Sequence, residues 1–387
     1  MGAERDLLMI PGPTNVDPTV LRALSKPTVS HVSSSFASTF RSVLENLKKV
    51  MKTSGDVFVV AGSGTLAMEM AVANVIEPND KVLVASNGYF GDRFVDVASR
   101  FSDKVEKLSF AWGKAAEPNK IDEKLGQDNY KAAIVVHVDT STGVANDIRE
   151  IAQVVKKHNA LFILDTVCSL GGIDVQVDAW GIDICLAGSQ KALAVPPGLA
   201  VLSAGKEALD ARSTRKSKVQ SYYMDFENWI PIMRDPSKYF ATPPVNMIYG
   251  LHESLNMVVA EGLERRFARH HALSKAVQSA FTKLGLEIVA EENRRAQTMT
   301  AAYYPAKVDD EPFRSRMAAR HGVVVAGGLG QLRGKSFRVG HMGNVSPNDI
   351  LATVGAVETT LLNLGHVFQA GAGSGAAVEV LNRSGLS

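Results

Sequence analysis

Asp183-Ile-Cys-Leu-Ala-Gly-Ser-Gln-Lys191 is a short apolar run that ends in a glycine turn and a lysine, with Ala-Leu-Ala-Val-Pro-Pro-Gly198 behind it. Just upstream, Leu161-Phe-Ile-Leu-Asp165 is a second apolar run, closed by a carboxylate. Neither run alternates polar with apolar, which is the pattern of strands covered on both faces. More runs of this kind lie on either side: Asp56–Val60, Lys81–Ala85, Ala132–His137 and Leu199–Leu202. Helical patterns fall between several of them, notably Thr65–Val75 and Asp147–His158. Strands alternating with helices predict a mostly parallel sheet with helices on both faces, and ligands bind at the carboxyl ends of such strands.

With 387 residues the chain is too long for one small core, so two domains are expected. It is 45% apolar and 21% charged, ordinary for a globular protein. The formal net charge is only +2, and 40 acids offset the basic residues without any long basic block, which argues against nucleic acid as a partner. No apolar run reaches the roughly 18 residues of a membrane span, and the N-terminus lacks signal-peptide character, so a cytoplasmic location is expected. Cys168 and Cys185 are too few for a disulfide framework and sit in apolar surroundings, so both read as buried core thiols. Nothing resembles a metal site: His270 and His271 are adjacent on a helical pattern and cannot share a face.

A long helix is expected from Asn246 to about Ala280, interrupted at Gly262. Strands at Glu287–Ala290, Thr298–Tyr304 and Ser336–Val339 follow, with helices at Glu311–His321 and Ser346–Leu364, the pattern of a small α+β domain. Residues 1–20 read as an N-terminal segment, 21–262 as a large domain, 263–365 as a small one and 366–387 as a mobile tail rich in small residues.

Chemistry gathers at the strand ends. A lysine on an apolar loop can be partly desolvated, which lowers its pKa and frees the amine as a nucleophile. Asp165 and Lys191, ending successive strands, suit the two functional ends of a pyridoxal phosphate ring, its pyridinium nitrogen and its aldehyde. Ala61-Gly-Ser-Gly-Thr65 opens a helix, whose N-terminus can hold a phosphate, though a plain helix cap explains the turn as well. Asn87-Gly-Tyr-Phe-Gly91 offers an aromatic that can stack on a flat ring or simply pack on the core. Asp139-Thr-Ser-Thr-Gly143 supplies hydroxyls, as ordinary loops also do. Arg338 can clamp a carboxylate or be an edge-strand charge.

From Pro11-Gly-Pro-Thr-Asn15 to Val339-Gly-His-Met-Gly-Asn344 the chain resembles the class V, fold-type I, pyridoxal-phosphate aminotransferases, most of all the alanine–glyoxylate and serine–pyruvate enzymes. The most specific stretches are Asp165-Thr-Val-Cys-Ser-Leu-Gly-Gly172 and Ala187-Gly-Ser-Gln-Lys191 through Pro196-Pro-Gly198; Ala61-Gly-Ser-Gly-Thr65 and Val325-Ala-Gly-Gly-Leu-Gly330 match as well. The resemblance implies an α/β fold with a mostly parallel seven-stranded sheet between helices and a smaller C-terminal α+β domain. It implies a Schiff base on Lys191, which also shuttles a proton, and Asp165 paired with the pyridinium nitrogen. Phe90 would stack on the ring where animal enzymes have tryptophan, Val167 would pack on the opposite face, and Thr140 would lie near the ring hydroxyl. Ser63, Gly64, Thr65 and Gln190 would hold the phosphate, although Thr65 replaces a histidine of the animal enzymes. Tyr239 and Thr242 would reach it from a partner subunit, making a homodimer with interfacial active sites. Arg338 would bind the substrate carboxylate, with Gly12 nearby.

The implied reaction moves an amino group from alanine or serine to glyoxylate or pyruvate. Relatives acting on ureidoglycine, 3-hydroxykynurenine or aminoethylphosphonate share most of these motifs. A cysteine desulfurase needs a late mobile-loop cysteine, and no cysteine follows Cys185. A non-catalytic nucleotide-binding α/β protein would need a Walker lysine or a full Gly-x-Gly-x-x-Gly, and neither is present.

Overall fold

Each continuous apolar run forms a strand because its side chains can be covered on both faces. The computed structural model describes residues 6–238 and 240–385. Seven strands form the main sheet: β1 (Asp56–Gly62), β2 (Lys81–Ser86), β3 (Lys104–Ser109), β4 (Ala132–Val136), β5 (Leu161–Asp165), β6 (Ile184–Gly188) and β7 (Gly198–Ala204). Their spatial order is β1–β7–β6–β5–β4–β2–β3. Only β7 runs antiparallel to its neighbours, so the remaining six point their carboxyl ends to one edge. Strands β4, β5 and β6 are buried at every position. Among the described residues no helix is long and apolar enough to cross a membrane.

Edge strand β3 has no counterpart in the sequence reading. Its Lys-Val-Glu-Lys-Leu-Ser is charged and partly exposed, so it lacks the apolar signature of the central strands. Conversely, Glu287–Ala290 is not a strand. It makes one isolated bridge, Ile288 to Ala302, beside the small antiparallel sheet of Met299–Tyr303, Ser336–Gly340 and Ala326–Gly327.

The long helix divides into Val245–Glu261 and Leu263–Lys283, with Gly262 between them at φ +81°, where an L side chain would be strained. Just beyond the break, the buried Arg266 donates to the carbonyls of Gly171 (2.7 Å) and Ala192 (2.6 Å) and pairs with Glu261 (2.8 Å). The N-terminal segment is tied down by backbone hydrogen bonds. Leu7–Leu8 pairs in parallel with Val323–Val324, Gly340 N–H donates to Met9 O (2.8 Å), and Thr14 N–H then reaches Gln190 O (3.1 Å).

Residues 366–387, expected to be a mobile tail, include a helix at Ala372–Ser384. Small residues allow close packing as readily as mobility. A Cβ on Gly373 would lie 2.9 Å from Leu284, and Ala377 and Leu381 are buried in the C-terminal core. The helix start is seated on the buried carboxylate of Glu358, which accepts from Gly371 N–H, Ser374 N–H (3.1 Å) and Ser374 Oγ (2.7 Å). An anion at a helix N-terminus satisfies amides that have no partner within the helix. Replacing Glu358 by Ala should therefore cost about 1–3 kcal/mol, seen as a lower midpoint in thermal denaturation. An unchanged midpoint would show that this seat contributes nothing to stability.

Candidate active site

The carboxyl edge of the sheet borders a cavity of about 200 Å³. Lys191 and Asp165 line it, three residues past β6 and at the last position of β5. Every βα turn singled out in the sequence also contributes. Ser63, Gly64 and Thr65 come from the turn after β1, Phe90 from the one after β2, and Thr140 from the segment after β4. Val167 and Gln190 complete that set. A larger cleft of about 980 Å³ shares Arg93 with this cavity but contains neither Lys191 nor Asp165, so both belong to the smaller space.

Lys191 is 8% exposed, and its ammonium group donates to the carbonyl oxygen of Pro11. Burial is the main cause holding its amine below the usual lysine range; Arg338 acts in the same direction, while Cys168 and Asp165 oppose it. Gly12 is required beside it, because a Cβ there would stand 2.5 Å from Lys191 Cδ and its φ is +101°. Asp165 is 2% exposed and accepts from Val167 N–H at 2.8 Å. Burial pushes its carboxyl up to about 7; the Asp139 carboxylate adds to the rise, and Lys191 and Arg93 work against it. A cation placed against Asp165 would restore its ionised form.

The turn after β1 opens the Gly64–Val75 helix with no side chain capping its first amides. Gly64 lets this turn approach the opposite wall, since a Cβ would lie 3.0 Å from Val167 Cγ2. The carboxamide oxygen of Gln190 is buried without a partner in the protein. The free N–H donors of an uncapped helix start fit a group rich in acceptor oxygens, such as a phosphate ester, and the Gln190 carboxamide, turned end for end, would present its NH2 to the same oxygens. Between these features and Asp165, the flat ring of pyridoxal phosphate would lie against Phe90 on one side and Val167 on the other. The residues present thus fit that cofactor.

Arg338 lies on the central strand of the small antiparallel sheet and is 8% exposed. Its Nε donates to Gly327 O (2.8 Å) and its Nη1 to Thr140 O (3.0 Å), which fixes the guanidinium plane. Burial lowers its pKa, a shift that the neighbouring Cys168 and Asp139 resist. Thr242 is exposed and does not line the cavity, and Tyr239 lies outside the described residues.

Met68, Arg93, Val136, Val138 and Cys168 also line the cavity, and none of them was expected there from the sequence. Both cysteines are buried, as expected, yet Cys168 faces the site rather than the main core. Arg93 lies over the rings of Phe90 (4.8 Å) and Tyr89 (5.2 Å). Its spacing from Phe90, one helical turn, was the available signal. Asp139, read only as part of a hydroxyl-bearing loop, is fully buried and accepts from Phe90 N–H (2.9 Å) and Gly91 N–H (3.2 Å). Burial pushes its carboxyl up, and its hydrogen bonds from Ser141, Gly91 and Phe90 pull the other way. Among the described residues no group of His, Cys, Asp and Glu could hold a metal ion.

Residues 8–331 match the family model of class V aminotransferases. An uncharacterised aminotransferase of Methanocaldococcus jannaschii is 42% identical over 364 residues, covering 94% of each chain. Serine–glyoxylate aminotransferase of Arabidopsis thaliana is 33% identical over 98% of this chain and 96% of its own length. Among solved structures, ureidoglycine–glyoxylate aminotransferase of Bacillus subtilis superposes with a TM-score of 0.94 at 30% identity, covering 99% of both chains. A family model spanning most of the chain, with likeness over nearly its whole length in sequence and in shape, makes this protein a member of the class V aminotransferases, a pyridoxal-phosphate-dependent family.

Proposed function

We propose that this chain is a pyridoxal-phosphate transaminase that moves an amino group from a small amino acid, alanine or serine, to glyoxylate or pyruvate. One observation carries the reading: a desolvated lysine and a buried aspartate line the same cavity at the carboxyl ends of adjacent strands. The two relatives named for their substrates differ in amino donor and share glyoxylate, which supports glyoxylate as acceptor. We further propose that the functional unit is a cytoplasmic homodimer, with Tyr239 and Thr242 completing the partner's site.

When bound, pyridoxal phosphate supplies an electron sink for the charge left as the substrate Cα loses a proton. The chain's own residues set up that event. Lys191, whose pKa burial lowers, would offer its amine to the cofactor's aldehyde carbon and would then move a proton between the substrate Cα and the cofactor C4′. Asp165 would accept a hydrogen bond from the protonated ring nitrogen and favour its cationic form. Arg338 uses two of its N–H groups on protein carbonyls, and those that remain orient the substrate carboxylate. Ser63, Gly64, Thr65 and Gln190 would hold the phosphate, and Phe90 and Val167 would confine the ring.

The purified protein should be yellow, with absorption that changes when alanine is added. Lys191→Ala should lose turnover yet still bind the cofactor noncovalently. Steady-state transamination by that variant, or a colourless parent protein that gains no absorption from added pyridoxal phosphate, would sink the assignment. Arg338→Ala should raise KM for the amino donor about 10- to 100-fold, the worth of its charged hydrogen bonds, and leave cofactor affinity in place. A donor KM equal to the parent's would remove Arg338 from the site.

Asp165 also gives stability a pH signature when the cofactor is absent. An aspartate in the unfolded chain titrates near 4, whereas in the fold its carboxyl rises to about 7. Between those limits the folded protein keeps a proton that the unfolded chain has released, so Asp165 costs stability progressively as pH rises through that window. Asp165→Asn removes the titration, so its stability relative to the parent should climb between pH 5 and 7 by up to about 3 kcal/mol. Denaturant unfolding of both proteins at several pH values measures this, and a difference that stays flat with pH would contradict it.

A further inference from the structure

The helix that carries Phe90, Tyr89–Ala98, begins after Gly88 and has no side-chain cap of its own. Its first amides are satisfied from elsewhere in the chain. Phe90 N–H and Gly91 N–H donate to one oxygen of Asp139 at 2.9 and 3.2 Å, and Tyr89 N–H donates to Ser141 Oγ at 3.0 Å. Ser141 in turn donates through N–H (2.9 Å) and Oγ (2.5 Å) to the other oxygen of Asp139. The residue between them, Thr140, gives its carbonyl to Arg338. Gly88 leaves room for the carboxylate, since a Cβ there would come within 2.3 Å of Asp139 Cγ.

We propose that Asp139 is a positioning residue that fixes Phe90 against the cofactor ring and, through Thr140, couples that aromatic to the arginine that holds the substrate carboxylate. The inference rests on the functional reading above. An anion at the start of a helix satisfies free amides and meets the positive end of the helix dipole. Here the cap is supplied by a residue far along the sequence, so it sets where Phe90 stands relative to the neighbouring strand ends. Without the carboxylate, buried amides would be left unpaired and the aromatic would lose its fixed position.

The test compares the parent with Asp139→Ala, Asp139→Asn and Gly88→Ala. Each protein is stripped of cofactor, checked for folding by thermal denaturation, and titrated with pyridoxal phosphate by absorbance. The induced circular dichroism of the bound cofactor is recorded because it reports a fixed ring orientation. Asp139→Ala should weaken cofactor binding about 10- to 100-fold and diminish the induced signal. Asp139→Asn, which keeps the shape and one acceptor oxygen, should fall between Ala and the parent. Gly88→Ala, which removes no hydrogen bond but crowds the carboxylate, should move both readouts in the same direction as Asp139→Ala. If Asp139→Ala does not fold, the other two variants decide. Folded variants whose cofactor affinity and induced signal equal the parent's overturn the proposal, even if they melt earlier, because Asp139 would then serve the fold alone. A parent protein that takes up no pyridoxal phosphate overturns the functional reading itself, a result distinct from parent-like binding by the variants.

Discussion

The structure depends on one costly arrangement: a lysine and an aspartate withdrawn from water at the ends of neighbouring strands β6 and β5. Each charge would be expensive to bury alone. The fold answers by shifting both groups toward neutrality, the lysine downward and the aspartate upward. A site in that condition is poised for a ligand that brings its own cation to the aspartate and an electrophilic carbon to the lysine. Surrounding features serve the same end, among them the parallel strands converging on one edge, the uncapped helix start after β1, and the N-terminal segment whose Pro11 carbonyl meets the lysine.

The central strands were legible in the sequence because burial on two faces forces unbroken apolar runs. The same logic hid β3, whose edge position tolerates lysine and glutamate, and overvalued Glu287–Ala290, which is apolar enough for a strand but makes only one bridge. Small residues misled in the tail, where glycine and alanine let a helix settle against Leu284. In each case a local pattern met a tertiary decision that it does not encode.

Much of the cavity wall was legible too, because a lysine, an aspartate, a glycine-rich turn and an aromatic each follow a recognisable strand. Asp139 was not, since its function lies in contacts with Phe90 and Gly91, residues 48 and 49 positions away, and a carboxylate in a Ser/Thr loop looks like any other turn. Cys168 was assigned correctly to the interior, yet burial alone does not distinguish a core from the wall of a cavity. Thr242 shows the limit from the other side. It is exposed and does not line the cavity, and a threonine beside two prolines carries no local signal of where it stands.

Arg266 adds a mechanical property to this site. Its guanidinium bonds the carbonyl of Gly171, in the turn after Asp165, and that of Ala192, the residue after Lys191. It is anchored in a helix that belongs to neither strand. The spacing of the reactive pair is therefore gauged twice, once by the pairing of β5 with β6 and once by a rigid planar spacer driven in from outside the sheet. Both carbonyls lie in the turns beyond β5 and β6, so this second gauge draws on none of the side chains that fill the strand interior.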